Sequence, residues 1–301
     1  MKHTLQIGVI CRSAELLGTR NMQAEIERRL NEGFEKELLQ AALGNLENAS
    51  NPLRFNNFAY AMRELVRHIL ARLAPDEEVL KCSWYKEETG RKDGISRRQR
   101  VYYAVQGGLS DEYVQGELDI DVLAVHSSLR DAVDNLSKHT HIEEKTFNID
   151  DMQVQTYVEE VLSAVVRVFV TIVDNHKALV TALWEHLDET TIDAALRETL
   201  LAIDELATHH TIEEIYTDKI EIVGIDSYFV RFEAHGTVSC ELQWGSNSDL
   251  RRGDGAVLPQ SFPFTCELWS PVDDPEDIQT DENGFGVDTS SWWEGYYDEE
   301  T

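Results

Sequence analysis

Positive charge is scarce in this chain of 301 residues, where 27 Lys and Arg stand against 56 Asp and Glu for a formal charge of -29. A field of that sign repels nucleic acid and anionic membrane surfaces at long range, so contact with a phosphate backbone needs a local cluster of cations or a metal ion. Cysteine is scarce too. Cys11, Cys82, Cys240 and Cys266 are widely separated and form no C-x-x-C pair, which argues against a zinc ribbon and against a disulfide scaffold. Cys240 and Cys266 fall in strand-like segments and could face each other, but reduced core thiols are the commoner arrangement. Long hydrophobic runs are missing. The most apolar segment, 158–173, contains Arg167 and begins beside Glu159 and Glu160, which falls short of the ~20 apolar residues a membrane helix needs. The apolar stretch 5–11 is followed at once by Arg12 and Glu15 with no small-residue cleavage site. No signal peptide and no membrane partner are therefore expected, and the cytoplasm is the expected location.

The apolar content of 42% with 9% aromatics is that of a globular chain. The length suits one large domain or two ordinary ones. Over 21–45, Ile26, Leu30, Phe34, Leu38 and Leu39 recur at helical spacing, and Phe55, Phe58, Ala59, Met62, Leu65, Val66, Ile69 and Leu73 continue that period until Pro75 stops it. Residues 81–96 read as a polar loop, after which Ser96 and Gln99 form a capping-box pattern that opens a helix through Tyr103, ended by Gly107 and Gly108. A further helix is expected over 118–138, and two more from Asp150 to about Leu206, broken near 188–191. The β-branched run 161–173 keeps a strand reading open as a minority option. The character changes after His210: 220–223, 228–232, 237–244 and 262–268 are short, β-branched and aromatic, separated by Gly224, Gly236 and the run 245–255. The expected fold is α+β. A helical body spans 1–210, a small β-rich domain spans 211–272, and a disordered acidic-aromatic tail spans 273–301 with eleven carboxylates and no Lys or Arg. Trp292, Trp293, Tyr296 and Tyr297 suit that tail to docking in a basic, aromatic-lined groove of this chain or of a partner, though a plain solubility tail fits as well.

Asp226 followed by Glu241-Leu242-Gln243 resembles the Asp and Glu-x-Lys pattern with which restriction-type nucleases hold a divalent metal on adjacent strands. Hard carboxylate oxygens suit Mg²⁺, which activates water and stabilises the charge developing at phosphorus. Strand alternation sets Glu241 and Gln243 on one face, but Gln stands where Lys is usual, and a solvated sheet face is the plainer alternative. In the glycine-rich loop 245–255, Arg251 and Arg252 are candidate phosphate contacts, against a bland hairpin connection. Arg91, Lys92, Arg97, Arg98 and Arg100 form the one basic cluster, with Trp84, Tyr85, Tyr102 and Tyr103 nearby as stacking partners for bases. That cluster equally fits a hydrated loop or a dock for the acidic tail. Arg63 and His68 have the R-x4-H spacing of HEPN-type, metal-independent ribonucleases, a spacing that also arises by chance. His126, His139 and His141 suggest a metal less readily than solvated histidines at a helix end. His209 and His210 carry no motif.

The stretch 239–255, Ser-Cys-Glu-Leu-Gln-Trp-Gly-Ser-Asn-Ser-Asp-Leu-Arg-Arg-Gly-Asp-Gly, followed by Ser261-Phe262-Pro263-Phe264, resembles the predicted pPIWI-associating nuclease family of prokaryotes. The resemblance covers the last fifth to quarter of the chain. It implies a Mg²⁺-dependent nuclease of a defence module, acting on DNA or RNA, with Asp226, Glu241 and Gln243 as catalytic or metal residues and Arg251 and Arg252 on phosphate. Two other classes remain open: a non-catalytic adaptor that binds the protein partners of such a module through its helices and tail, and a HEPN-like ribonuclease.

Overall fold

A computed structural model describes residues 18–87, 94–116, 127, 140–197 and 201–293. The chain divides into two compact units: residues up to Gly107 together with Asp111–Asn175, and Gly108–Ser110 together with His176–Thr301. The expected helix 118–138 lies outside the described residues, apart from Ser127.

The first unit is helical, with α1 (Thr19–Glu27), α2 (Phe34–Glu47), α3 (Arg54–Leu73), α4 (Asp76–Val79), α5 (Arg97–Gln106), α6 (Asp111–Gly116) and the first part of α7 (Asp151–Arg197). α3 follows its apolar period. Phe55, Phe58, Ala59, Met62, Leu65, Val66, Ile69 and Leu70 are buried and join Ile26, Leu39, Val101 and Val161–Phe169 residues in one core. The single helix expected over 21–45 is two helices. α1 ends at Glu27, the chain re-enters a helix only after Gly33, whose φ of +83 suits a residue without a Cβ, and Phe34 beyond it is exposed rather than buried. The gap is braced by a partly buried ion pair: Arg72 Nε and Nη2 donate to Glu35 at 2.9 and 3.0 Å, and Asn31 N–H donates to the same carboxylate. The Ser96–Gln99 capping box opens α5 as the sequence indicates, and Gly107 closes it at φ +56.

α7 is continuous across 188–191, where a break was expected. Thr190 and Thr191 turn their hydroxyls back to the carbonyls of His186 and Leu187, both at 2.8 Å, and so satisfy themselves inside the helix instead of capping a new one. Its β-branched segment 161–173 is helical too, because burying that face outweighs a propensity cost of a few tenths of a kcal/mol per residue.

In the second unit, α8 (Leu201–Asp204) leads into an antiparallel sheet of order β1-β2-β3-β4, formed by β1 (His209–Ile225), β2 (Phe229–Trp244), β3 (Ala256–Pro271) and β4 (Phe285–Val287). These strands are longer than expected. β1 carries three register shifts, after Ile212, Thr217 and Ile222, which bend and twist an edge strand. Along β2 the even-numbered residues Val230, Phe232, Ala234, Val238, Cys240 and Leu242 are buried, as are Phe262, Phe264, Cys266 and Leu268 of β3. The odd-numbered side chains therefore face solvent. Gly236 belongs to the buried row because a Cβ there would lie 2.0 Å from the Tyr216 carbonyl oxygen and 2.6 Å from the Phe264 ring.

Cys240 pairs with Gln260 and Cys266 with Ala234 in the ladder, so the two thiols do not face each other. Both are free and buried, as is Cys82. The loop 245–255 contains α9 (Asn247–Arg252), opened by a Ser246–Asp249 capping box and ended by Gly253 at φ +79. The segment expected to be a disordered tail is ordered structure up to Trp293. β4 pairs with 264–266, Trp269 and Gln279 exchange two 2.8 Å backbone bonds, Phe285 stacks on Phe264, and α10 (Ser290–Trp293) brings Trp292 onto Trp244. The acidic segment cannot build a core of its own, and it uses the outer edge of β3 instead. Residues 294–301 lie outside the described residues. Among the described residues, no helix is long and apolar enough to cross a membrane.

Candidate functional site

The structure separates the residues expected to share a metal ion. Asp226 closes the β1–β2 turn, where its carboxylate accepts from the backbone N–H groups of Tyr228 and Phe229 at 2.7 and 2.8 Å and pairs with Arg231 at 2.6 Å. Burial alone would raise its pKa, but these two amides and the Arg231 charge outweigh burial and hold the carboxyl below its usual range. The turn itself is seated by its backbone: Gly108 N–H donates to Asp226 O at 3.0 Å, and a Cβ on Gly108 would meet Ser227 O at 2.7 Å.

Glu241 and Gln243 lie towards the other end of β2, opposite Pro259 and Val257 of β3. From Val230, beside the turn, to Glu241 the strand runs roughly 35 Å at ~3.3 Å per residue. No single ion spans that gap with ligand distances of about 2.0–2.1 Å. Gln243 has a bracing part: its Nε2 donates to Gly245 O at 2.8 Å and to Asn247 Oδ1 at 3.3 Å. Asp226, Glu241 and Gln243 therefore do not fit a shared Mg²⁺. Among the described residues, no group of three or more His, Cys, Asp or Glu side chains is arranged to hold a metal.

Of the five cations expected on phosphate, Arg252 and Arg100 have partners within the chain and the other three are exposed. Arg252 pairs with Asp249 at 2.5 Å and approaches Asp254 at 3.7 Å, while Arg251 is exposed at the end of α9. Arg100 donates to Ala74 O at 2.7 Å and pairs with Asp76, whereas Arg97 and Arg98 are exposed in the first turn of α5. Of the aromatic residues beside them, Tyr103 is buried, Trp84 donates to Gly107 O at 2.8 Å, and Tyr102 donates to Asp111. Burial, then the Asp111 carboxylate, raise the Tyr102 pKa. Arg91 and Lys92 lie outside the described residues, as do His126 and His139. Arg63 and His68 are not brought together either. Five residues on a helix put them roughly 140° apart around its axis, and Arg63 bonds Thr140 and Glu64 while His68 contacts Arg67 and Phe34.

A different set of residues converges on the open face of the sheet. Ladder pairing puts Glu221, Glu233 and Glu267 in one row across β1, β2 and β3, and Lys219, His235 and Thr265 in the next. His235 Nε2 lies 2.8 Å from Glu233 Oε1, its Nδ1 lies 3.4 Å from Thr265 Oγ1, and Lys219 Nζ lies 2.6 Å from Glu221 Oε2. Arg231 is two residues along β2 on the same face. Like charges directly across a ladder are unfavourable, and here Lys219 pairs with Glu221 while the His235 ring lies against Glu233. An imidazole, three carboxylates and two cations thus share one solvent-facing patch.

Sequence reasoning missed this patch, although a signal for it exists. Arg231-x-Glu233-x-His235 has the period of two that puts all three on one side of a strand. Reading Gly236 as a separator ended the expected strand before that alternation was complete.

Comparison with protein-family models extends the likeness well beyond the sheet. Residues 27–165 match one model and residues 172–293 a second, and both are described as predicted pPIWI-associating nuclease. The break between the two matches falls within α7, close to the division of the compact units at Asn175. No curated protein and no solved structure matches the chain. With both halves matched, the chain belongs to the predicted pPIWI-associating nuclease family.

Proposed function

We propose that the chain is a ribonuclease that cleaves by acid–base chemistry at His235 and its neighbours on the open sheet face, acting in the cytoplasm with a pPIWI protein of a defence module. The observation that carries this reading is the row-by-row alignment of Glu233, Glu267, His235 and Lys219 from three strands, with the 2.8 Å contact that orients the imidazole. RNA is favoured over DNA because its 2′-hydroxyl is an internal nucleophile, which removes the need for a metal-activated water.

In the proposed step, Glu267 takes the 2′-hydroxyl proton and the 2′-oxygen bonds to phosphorus. The 5′-oxygen leaves with the proton of the His235 imidazolium, which Glu233 holds in place. The products are a 2′,3′-cyclic phosphate and a 5′-hydroxyl. Lys219 and Arg231, on either side, balance the negative charge that accumulates on the phosphoryl oxygens.

Purified protein is expected to cleave RNA in the presence of EDTA and to leave DNA intact. His235→Ala should lower the rate by about 10²–10⁴-fold, the usual contribution of a proton-transfer group. Cleavage that EDTA abolishes and His235→Ala spares would overturn the assignment and send the search to another part of the chain. A second reading, the non-catalytic adaptor, is favoured by the closed ion pairs on this face and by the charge of -29. Absence of any cleavage, combined with retention of a protein partner in a pull-down, would select it.

A further inference from the structure

The open face carries aromatic rings as well as charges, at the end of the sheet beside Arg231. Tyr228 is 57% exposed and Phe229 36% exposed. Phe229 meets Trp269 edge-on with ring centroids 5.2 Å apart and lies 6.5 Å from the Tyr228 ring. The Arg231 guanidinium stands 5.9 Å from the Phe229 centroid, and Arg231 is paired with Trp269 in the ladder. Sheet alternation gives these strands a buried face that already takes Phe232, Phe262, Phe264 and Leu268. Rings grouped on the wet side instead form a surface available for a ligand.

The group is also held in place from outside. Trp269 Nε1 donates to Asp281 Oδ1 at 3.2 Å, Asp226 fixes Arg231 at 2.6 Å, and the Asp226 carboxylate caps the backbone of Tyr228 and Phe229. The Trp269 and Arg231 side chains and the backbone under Tyr228 and Phe229 are thus set before a ligand arrives, which lowers the cost of association.

We propose that Tyr228, Phe229 and Trp269 form a base-stacking platform for single-stranded nucleic acid, which hands the strand to the His235–Glu233 patch; the inference rests on the acid–base reading above. Charge selects the occupant. A chain of net charge -29 opposes a duplex strongly, because a duplex concentrates phosphates and hides its bases. A single strand carries less charge per unit length and offers bases whose stacking on aromatic rings supplies affinity without phosphate contacts. The platform and the proton-transfer group lie on the same face of β2. From Phe229 to His235 is roughly 20 Å along the strand, so the stacked base lies a few nucleotides from the bond that is cut.

The test uses the full chain and a labelled single-stranded DNA oligonucleotide, which has bases to stack but no 2′-hydroxyl to be cleaved, with binding read by fluorescence anisotropy. The single strand is expected to bind at least tenfold more tightly than a duplex of the same length. Phe229→Ala and Phe229→Leu should each weaken it about tenfold; the leucine variant keeps an apolar side chain, and its melting temperature is compared with the parent's to separate binding from folding. Failure of every strand to bind, equal binding of duplex and single strand, or parent-like binding by a folded Phe229→Leu protein overturns the platform. These outcomes are distinct from failure of the acid–base reading, which appears as unchanged RNA cleavage by His235→Ala.

Discussion

The helical unit and the sheet unit use the same polar side chains in opposite ways. In the first, three arginines serve as braces: Arg72 holds the buried Glu35, Arg100 pairs with Asp76 and bonds the end of α3, and Arg63 reaches Thr140. In the second, Lys219, Glu233, His235 and Glu267 stand on a surface open to solvent. Periodicity produces the difference. A helix turns 3.6 residues at a time, so its polar positions border the core and meet neighbouring helices. A long ladder has a period of two, which moves every second side chain to one face and aligns residues far apart in sequence. Lys219, His235 and Thr265 become neighbours in that way.

The largest loss of stability is expected where the helical unit is most deeply packed. Phe58 is fully buried in the common core, and Phe58→Ala should cost about 3–5 kcal/mol by leaving a cavity, seen as a lower denaturant midpoint with loss of helical circular dichroism. Next comes the Glu35–Arg72 brace. Glu35→Ala leaves a partly buried guanidinium without its partner and should cost about 2 kcal/mol, between the exposed and fully buried limits. Burial pushes the Glu35 pKa up, but the Arg72 hydrogen bonds, the Asn31 amide and the Arg72 and His68 charges together hold it below the usual carboxylate range. A group with a depressed folded pKa stabilises at pH values above its unfolded pKa and loses that contribution as pH falls through the folded value. Acid titration below about pH 4.3 should therefore destabilise the parent more steeply than Glu35→Gln. Equal slopes would remove Glu35 from the acid response.

A comparable effect, about 1–3 kcal/mol, is expected in the sheet from Gly236→Ala, because the added methyl meets the Tyr216 carbonyl and the Phe264 ring. This glycine also explains what the sequence did and did not reveal. α3 was legible because its period and Pro75 are local facts, as was the capping box at Ser96. The fold class followed from such signals. Gly236 looked like punctuation, yet it serves close packing in the middle of β2, and that role depends on Phe264, a residue of another strand. The same long-range dependence hid β4, which is ordered by the edge of β3 and by Phe264 rather than by its own composition. The expected site failed for a related reason. The Glu-x-Gln spacing puts Glu241 and Gln243 on one face, but it does not say whether the chain between Asp226 and Glu241 folds back or runs straight, and here it runs straight along most of a 16-residue strand.

The smallest effect on stability is expected at the centre of the proposed site, and it tests the comparison most directly. The His235–Glu233 and Lys219–Glu221 pairs are half open to water, and pairs of that kind contribute about 0–1 kcal/mol. Glu233→Gln removes a charge from a row of three carboxylates while keeping the shape of the side chain, so the lost attraction to His235 is offset by lost repulsion from Glu221 and Glu267. The denaturant midpoint should barely move, whereas RNA cleavage should fall because the imidazole loses the carboxylate that orients it. If the helical unit braces and the sheet face acts, Glu35→Gln and Glu233→Gln should give opposite pairs of results in these two assays. A large stability loss from Glu233→Gln with cleavage intact would mean that the open face is scaffolding after all.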